Sequence, residues 1–176
     1  MRAFGTRQAM LMLGVMLSVG FLSMFLSNTN TTLMIVPVAQ AIIGSVEDGS
    51  PASRSRIGTF AKPLMLGVAY SANCGGMGTL IGTPPHGVLA VQGEAFGVHV
   101  GFARWAMCCM PLSVLLIVMI WAYFLVVFKV PFAKSASGDE GLKEFQRELG
   151  NLTQAEVRVG LVFLVTVAGW VSRKYV

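Results

Sequence analysis

Residues 107–128 carry no charged side chain. An apolar run of roughly 20 residues has the length needed to cross a bilayer core, and no other feature limits this chain's folding as strongly. A second apolar stretch, residues 63–91, is comparable in length but interrupted. Of the 176 residues, 55% are hydrophobic and 12% charged, whereas a soluble domain carries about 25% charged residues. These features argue against a water-soluble globule and for an all-α integral membrane protein, multi-pass, in a plasma or inner membrane.

The formal charge of +5 does not imply nucleic acid. Its bearers fall between apolar segments, with no basic helix face and no interleaved aromatics. Cys74, Cys108 and Cys109 lie inside apolar stretches at spacings that match no disulfide framework or zinc pattern, so they read as packing residues. Arg2 and Arg7 precede an apolar run as in a signal peptide. That run continues to Leu26 without a small-residue cleavage site and leads into a polar motif, so the signal reading is set aside.

Residues 8–26 read as a helix, and residues 33–43 resume apolar character after the polar run 27–32. The second arm reaches only about 15–20 Å against about 30 Å of hydrocarbon. Two arms meeting at a polar tip predict a re-entrant hairpin over residues 1–46, allowed at membrane depth only where protein or a wet cavity satisfies the tip's amides. Residues 47–62, with Gly49, Ser50 and Pro51, read as a cytoplasmic loop. Residues 63–92 read as a broken transmembrane helix, unwound around residues 82–85, because Gly82, Pro84 and Pro85 remove helix propensity and two backbone donors. A full span follows at 105–128, then a cytoplasmic interfacial segment at 129–156. A T-x-x-E capping box, Thr153 and Glu156, opens a last helix over 157–176.

Basic residues test the layout. With a hairpin at the start, Arg2, Arg7, Arg54, Arg56, Lys62, Lys129, Lys134, Lys143, Arg147 and Arg158 share one side, and Arg104, Arg173 and Lys174 the other. By the positive-inside rule the hairpin mouth is cytoplasmic.

All eight acidic residues lie in connectors or at helix starts, so none is a candidate buried proton relay. No Lys or Arg sits in the polar tip or in the break. A bound anion would therefore be held by hydroxyls, amides, helix N-termini and a cation. Ser27, Asn28 and Thr29 with Ser23 one turn earlier offer side-chain oxygens, which suit sodium as a hard ion. The segment Gly82, Thr83, Pro84, Pro85 offers unclaimed carbonyls. Each also has a plainer reading: serine in a membrane helix bonds the preceding turn or a neighbour, and a Gly-Pro break is often a kink.

Ser27-Asn28-Thr29, then Thr31, Thr32 and residues 34–37, then Ala69-Tyr70-Ser71 and the Gly75-Gly76-Met77-Gly78-Thr79-Leu80-Ile81-Gly82-Thr83-Pro84-Pro85 stretch, resemble the divalent anion:sodium symporter family over nearly the whole chain. The resemblance implies an inverted-repeat secondary carrier for a dicarboxylate, a tricarboxylate or sulfate, driven by sodium influx. It would work by elevator-type alternating access within a homodimer. It also implies roles. Ser23, Ser27, Asn28 and the carbonyl of Gly82 would hold sodium, and Asn28, Thr29, Thr83 and Pro84 would face the substrate. No catalytic residue, no cofactor and no metal beyond the coupling sodium ion is expected.

The chain departs from the family pattern at His86, where bacterial members typically have Asn after the two prolines. It also carries one motif pair where members carry two, so it is expected to be an N-terminal-repeat fragment missing the second half of the carrier. Alternatives are a carboxylate exchanger or proton-coupled carrier of the same fold, in which His86 would titrate, or an inactive truncated product. A redox or metal protein using Cys74 and His86 fits no ligand spacing.

Overall fold

The computed structural model describes residues 8–45, 51–98, 100–130 and 154–172. Among them are six helices and no strand: α1 (Gln8–Ser23), α2 (Asn28–Ser45), α3 (Pro51–Gly76), α4 (Pro84–Ala95), α5 (Phe102–Phe128) and α6 (Gln154–Ser172).

Helix α3 is the hub, packing against α1, α2 and α5. Phe60, Leu64, Val68 and Ala72 recur every fourth residue, the spacing that places side chains on one helix face, and all four are buried. They join Met12, Met16 and Val19 of α1, Ala39 and Ile42 of α2, and Ile117 and Phe124 of α5 in one core. The backbones of α1 and α3 touch directly. A Cβ at Gly75 would overlap the main chain of Gly20, so this crossing depends on small residues, as is usual between helices in a membrane. Polar bonds hold α5 in place: Ser113 Oγ donates to Cys74 O at 2.7 Å, Trp121 Nε1 to Ala9 O at 2.8 Å and Trp105 Nε1 to Met77 O at 3.1 Å.

Among the described residues α5 is the one helix long and apolar enough to cross a membrane, with a mean hydropathy of 2.5. Leu112, Leu115, Met119, Tyr123 and Val126 are exposed along it. It closes on Lys129 in the left-handed region, φ 50°. Helix α6 is exposed along most of its length and touches the body through Phe163, whose ring centroid lies 4.9 Å from that of Phe25.

Several boundaries differ from expectation. The polar run after Ser27 is not an unwound tip. The connection is residues 24–27 alone, and Asn28–Ser45 is helical, with Thr32 Oγ1 turned back onto Asn28 O at 2.8 Å in the first turn, where its hydroxyl is satisfied within the helix. The second arm is thus 18 residues long, about 27 Å, rather than the shorter arm expected.

Residues 51–62, expected in a loop, form the first half of α3. Pro51 is acceptable as a first helical residue, where the N–H it lacks would have had no partner within the helix, and Ala, Ser and Arg after it do not break a helix. The break runs over residues 77–83, earlier than the expected 82–85. Pro84 and Pro85 instead open α4, again where missing N–H groups cost nothing. Helix α6, Gln154–Ser172, begins three residues before the expected 157, and residues 173–176 lie outside the described residues. Residues 1–7 and 46 of the expected hairpin, the capping residue Thr153 and residues 131–153 of the expected interfacial segment lie outside the described residues.

Candidate functional site

Four helix ends meet at one place. α1 ends at Ser23, α2 begins at Asn28, α3 ends at Gly76 and α4 begins at Pro84. Gly76 makes the meeting possible. A Cβ there would overlap Asn28 Oδ1 and come within 3.0 Å of Thr83 Cγ2. Gly82 is held as closely, since a Cβ on it would run into the main chain of Gly76.

Ser23 is fully buried, and its hydroxyl lies 2.7 Å from Ala72 O and 2.9 Å from Asn28 Oδ1. A serine hydroxyl has one proton and can donate it to only one of these acceptors. The cluster therefore holds three oxygens and a single proton among them, an arrangement in which a cation is favourable. The amide of Asn28 is fixed from its other side: Nδ2 donates to Asn73 Oδ1 at 3.1 Å.

Ser27 is exposed and accepts from Asn30 N–H at 3.4 Å. Thr29 and Pro84 are exposed, on the first turns of α2 and α4. Thr83 caps α4 through extended backbone, φ −139° and ψ 138°, and its hydroxyl makes no capping bond. It lies instead 3.0 Å from His86 Nδ1, which is also 3.1 Å from Thr79 O. Thr79 O can only accept, so in the Nδ1–H tautomer the imidazole donates to it and Thr83 keeps its own proton free to donate. The His86 ring also packs on Trp105, centroids 4.9 Å apart, and Trp105 Nε1 donates to Met77 O at 3.1 Å.

The electrostatics divide the site in two. Helix C-termini present carbonyls and a negative partial charge, whereas N-termini present N–H groups and a positive one. Carbonyl ends of α1 and α3 adjoin the Ser23 oxygens, a place for a cation. The amide ends of α2 and α4 lie beside them, with Thr29 and Thr83 on their first residues, a place for an anion. Among the described residues no charged side chain takes part.

The structure brings together Ser23 and Asn28, and through Gly76 it adds Thr83 and Gly82. It does not place Ser27 or Thr29 in the oxygen cluster by any side-chain bond. Sequence reasoning missed Ala72, Asn73 and Thr79. Thr79 is buried and accepts from Ile81 and Gly82 N–H at 3.3 and 3.2 Å, while its own hydroxyl donates to Met24 O. Its place in the Gly-Thr-Leu-Ile-Gly-Thr-Pro-Pro string is the only sequence signal for that role. Two buried hydroxyls, Thr31 and Ser71, have no partner among the described residues.

Over residues 1–175 the chain matches the citrate transporter family. It is 34% identical over 178 residues to a sodium-dependent dicarboxylate transporter of Staphylococcus saprophyticus, covering 97% of this chain and 34% of that protein. A Staphylococcus aureus protein of the same description is 33% identical over 175 residues, with the same coverage of each. The chain thus spans about a third of the length of these relatives.

Proposed function

Since the chain belongs to the citrate transporter family, whose members are membrane carriers rather than enzymes, we propose that it builds the sodium and carboxylate site of a secondary carrier. In this reading sodium influx drives uptake of a di- or tricarboxylate. The observation that carries it is the Ser23 cluster, where the Ser23 hydroxyl, Asn28 Oδ1 and Ala72 O lie together with one proton among them. Sodium takes such neutral oxygens readily. Ser27 and the Gly82 carbonyl would complete its shell as the tip and the break close around it. The similarity to sodium-dependent dicarboxylate transporters supports the choice of ion and of anion class.

The bound sodium then supplies the positive charge that the side chains lack. Its neighbours for a carboxylate are the Asn28 amide, Thr29, the Thr83 hydroxyl and the backbone at Pro84. Coupling follows from this adjacency: without the cation, the carbonyl ends of α1 and α3 repel an anion; with it, they do not. One cluster contacts one end of a dicarboxylate. A matching set of donors, from residues outside this sequence or from a second copy, would hold the other end.

Residues 24–27 join α1 to α2 in a short turn, and both helices pack on α3. With the distribution of basic residues, this supports a re-entrant hairpin with a cytoplasmic mouth. Elevator-type movement within a homodimer is the transport mode we propose for it. The test is uptake of labelled succinate or citrate in proteoliposomes by the complete carrier, this chain together with the residues that supply the matching donors. Uptake that needs an inward sodium gradient is expected, and uptake indifferent to sodium refutes the reading.

His86 favours a second reading. Its Nδ1 bridges Thr79 and Thr83, so proton coupling or exchange on the same fold would act through this imidazole. A proton gradient that drives uptake without sodium, and that loses its effect in His86→Asn, would select it.

A further inference from the structure

We infer that Asn73 is a specificity-determining residue of the site, whose amide N–H groups take a carboxylate oxygen while its Oδ1 fixes Asn28. The inference rests on the reading of this region as a sodium and carboxylate site.

Asn73 lies in the last turn of α3 and is exposed, beside a buried cluster. Its Oδ1 is occupied by Asn28 Nδ2 at 3.1 Å. The geometry of a primary amide then leaves Nδ2, with two protons, directed away from that bond. Among the described residues neither proton has a protein partner. Such an amide is a pair of donors held in a fixed plane by an acceptor bond on its other end.

Its location explains what the donors are for. The last turn of α3 presents carbonyls and a negative partial charge, which disfavours an anion nearby. No lysine or arginine lies in residues 69–86 or in the tip to offset this. Asn73 places neutral N–H groups over that end of the helix and beside Asn28. A planar carboxylate can take one N–H from each of the two adjoining amides.

The same bond serves the cation. With Nδ2 held by Asn73, the Asn28 amide cannot turn its nitrogen towards Ser23. Oδ1 stays 2.9 Å from the Ser23 hydroxyl, and the oxygens remain available to sodium. Asn73 therefore touches the anion directly and the cation only through Asn28.

Isosteric replacement separates the two roles. Asn73→Asp keeps an oxygen for Asn28 Nδ2 but puts a carboxylate where the donors were, and Asn73→Leu removes both. In proteoliposomes, Asn73→Asp should raise the half-saturating succinate concentration tenfold or more, the effect of losing one hydrogen bond to a charged group, without weakening half-saturation by sodium. Asn73→Leu should weaken both. As a second measurement, Asn73→Cys in a background with Cys74, Cys108 and Cys109 replaced by alanine should react with a methanethiosulfonate reagent. Sodium plus succinate should protect it, and sodium alone should not. Unchanged succinate half-saturation in Asn73→Asp, equal loss for both ions in that variant, or an Asn73→Cys thiol that succinate fails to protect would each overturn the role. An unsubstituted protein without sodium-dependent succinate uptake would instead remove the underlying reading, and this one with it.

Discussion

Thr79 donates its hydroxyl proton to the main-chain carbonyl of Met24, joining two points 55 residues apart in sequence. Because the same oxygen accepts from Ile81 and Gly82 N–H, one buried side chain ties the break after α3 to the connection between α1 and α2. Removing it strands two donors and an acceptor, at about 1–3 kcal/mol for a buried group left unpaired. Thr79→Val should therefore lower the unfolding midpoint and abolish sodium-dependent uptake. Thr79→Ser, which keeps the hydroxyl, should restore most of both. A Thr79→Val protein as stable and active as the original would refute the tie.

Asn28 is where the cation and anion halves of the proposed site overlap. Asn28→Ala should eliminate sodium-dependent succinate uptake while membrane insertion persists. Ser23→Ala leaves the Asn28 to Asn73 bond in place, so its main effect should be a higher half-saturating sodium concentration. Equal sodium dependence in Ser23→Ala and the unsubstituted protein would exclude Ser23 from the ion's shell.

Gly76 and Gly58 make a matched pair. A Cβ at Gly76 meets Asn28 Oδ1 and Thr83 Cγ2, whereas one at Gly58 meets nothing within 4 Å. Gly76→Ala should abolish uptake, and Gly58→Ala should leave it intact while adding up to about 1 kcal/mol of helix propensity. Uptake assays on the two variants side by side decide the point, since an active Gly76→Ala would mean that the four helix ends need not meet so closely.

Trp105 is placed to report on the break, through its bond to Met77 O and its contact with His86. In a background with Trp121 and Trp170 replaced by phenylalanine, its emission should shift on adding sodium and saturate with the same midpoint as uptake. Potassium at equal ionic strength should produce no saturable change. A flat response to sodium would place ion binding elsewhere.

A cytoplasmic hairpin mouth puts position 50 and position 96 on opposite faces. Phe96 is 85% exposed at the end of α4 and is better for labelling than neighbouring Gly97, whose φ of +75° a cysteine would strain. Ser50→Cys and Phe96→Cys, made singly without other cysteines, should react with impermeant reagents from opposite sides. Reaction from the same side contradicts the topology.

What could be read from the sequence follows the range of the forces involved. The long span ending at Phe128 and the break near Gly82 are set by local terms, apolar length and the Gly and Pro backbone, and both were legible to within a few residues. The first half of α3 was not. Pro51, Ser53, Arg54 and Arg56 resemble loop residues in composition, yet none stops a helix once Phe60 and Leu64 anchor the remainder. In the site, the family motif pointed to Ser23 and Asn28. Asn73 and Thr79 act through contacts 45 and 55 residues away, and no local pattern announces a bond of that span.

The Gly20 and Gly75 backbones, pressed together without side chains between them, work as a gauge block. Gly20 stands one turn before Ser23, and Gly75 three residues after Ala72, so the thickness of that contact fixes how far the serine hydroxyl stands from the α3 carbonyl it meets. A methyl group added at Gly75 would force the two backbones apart, whereas one at Gly20 would meet the end of the Ile117 side chain. In the proposed site, selectivity for a small cation would then fail in Gly75→Ala with every ligand still present, and a larger alkali ion would be the first to profit.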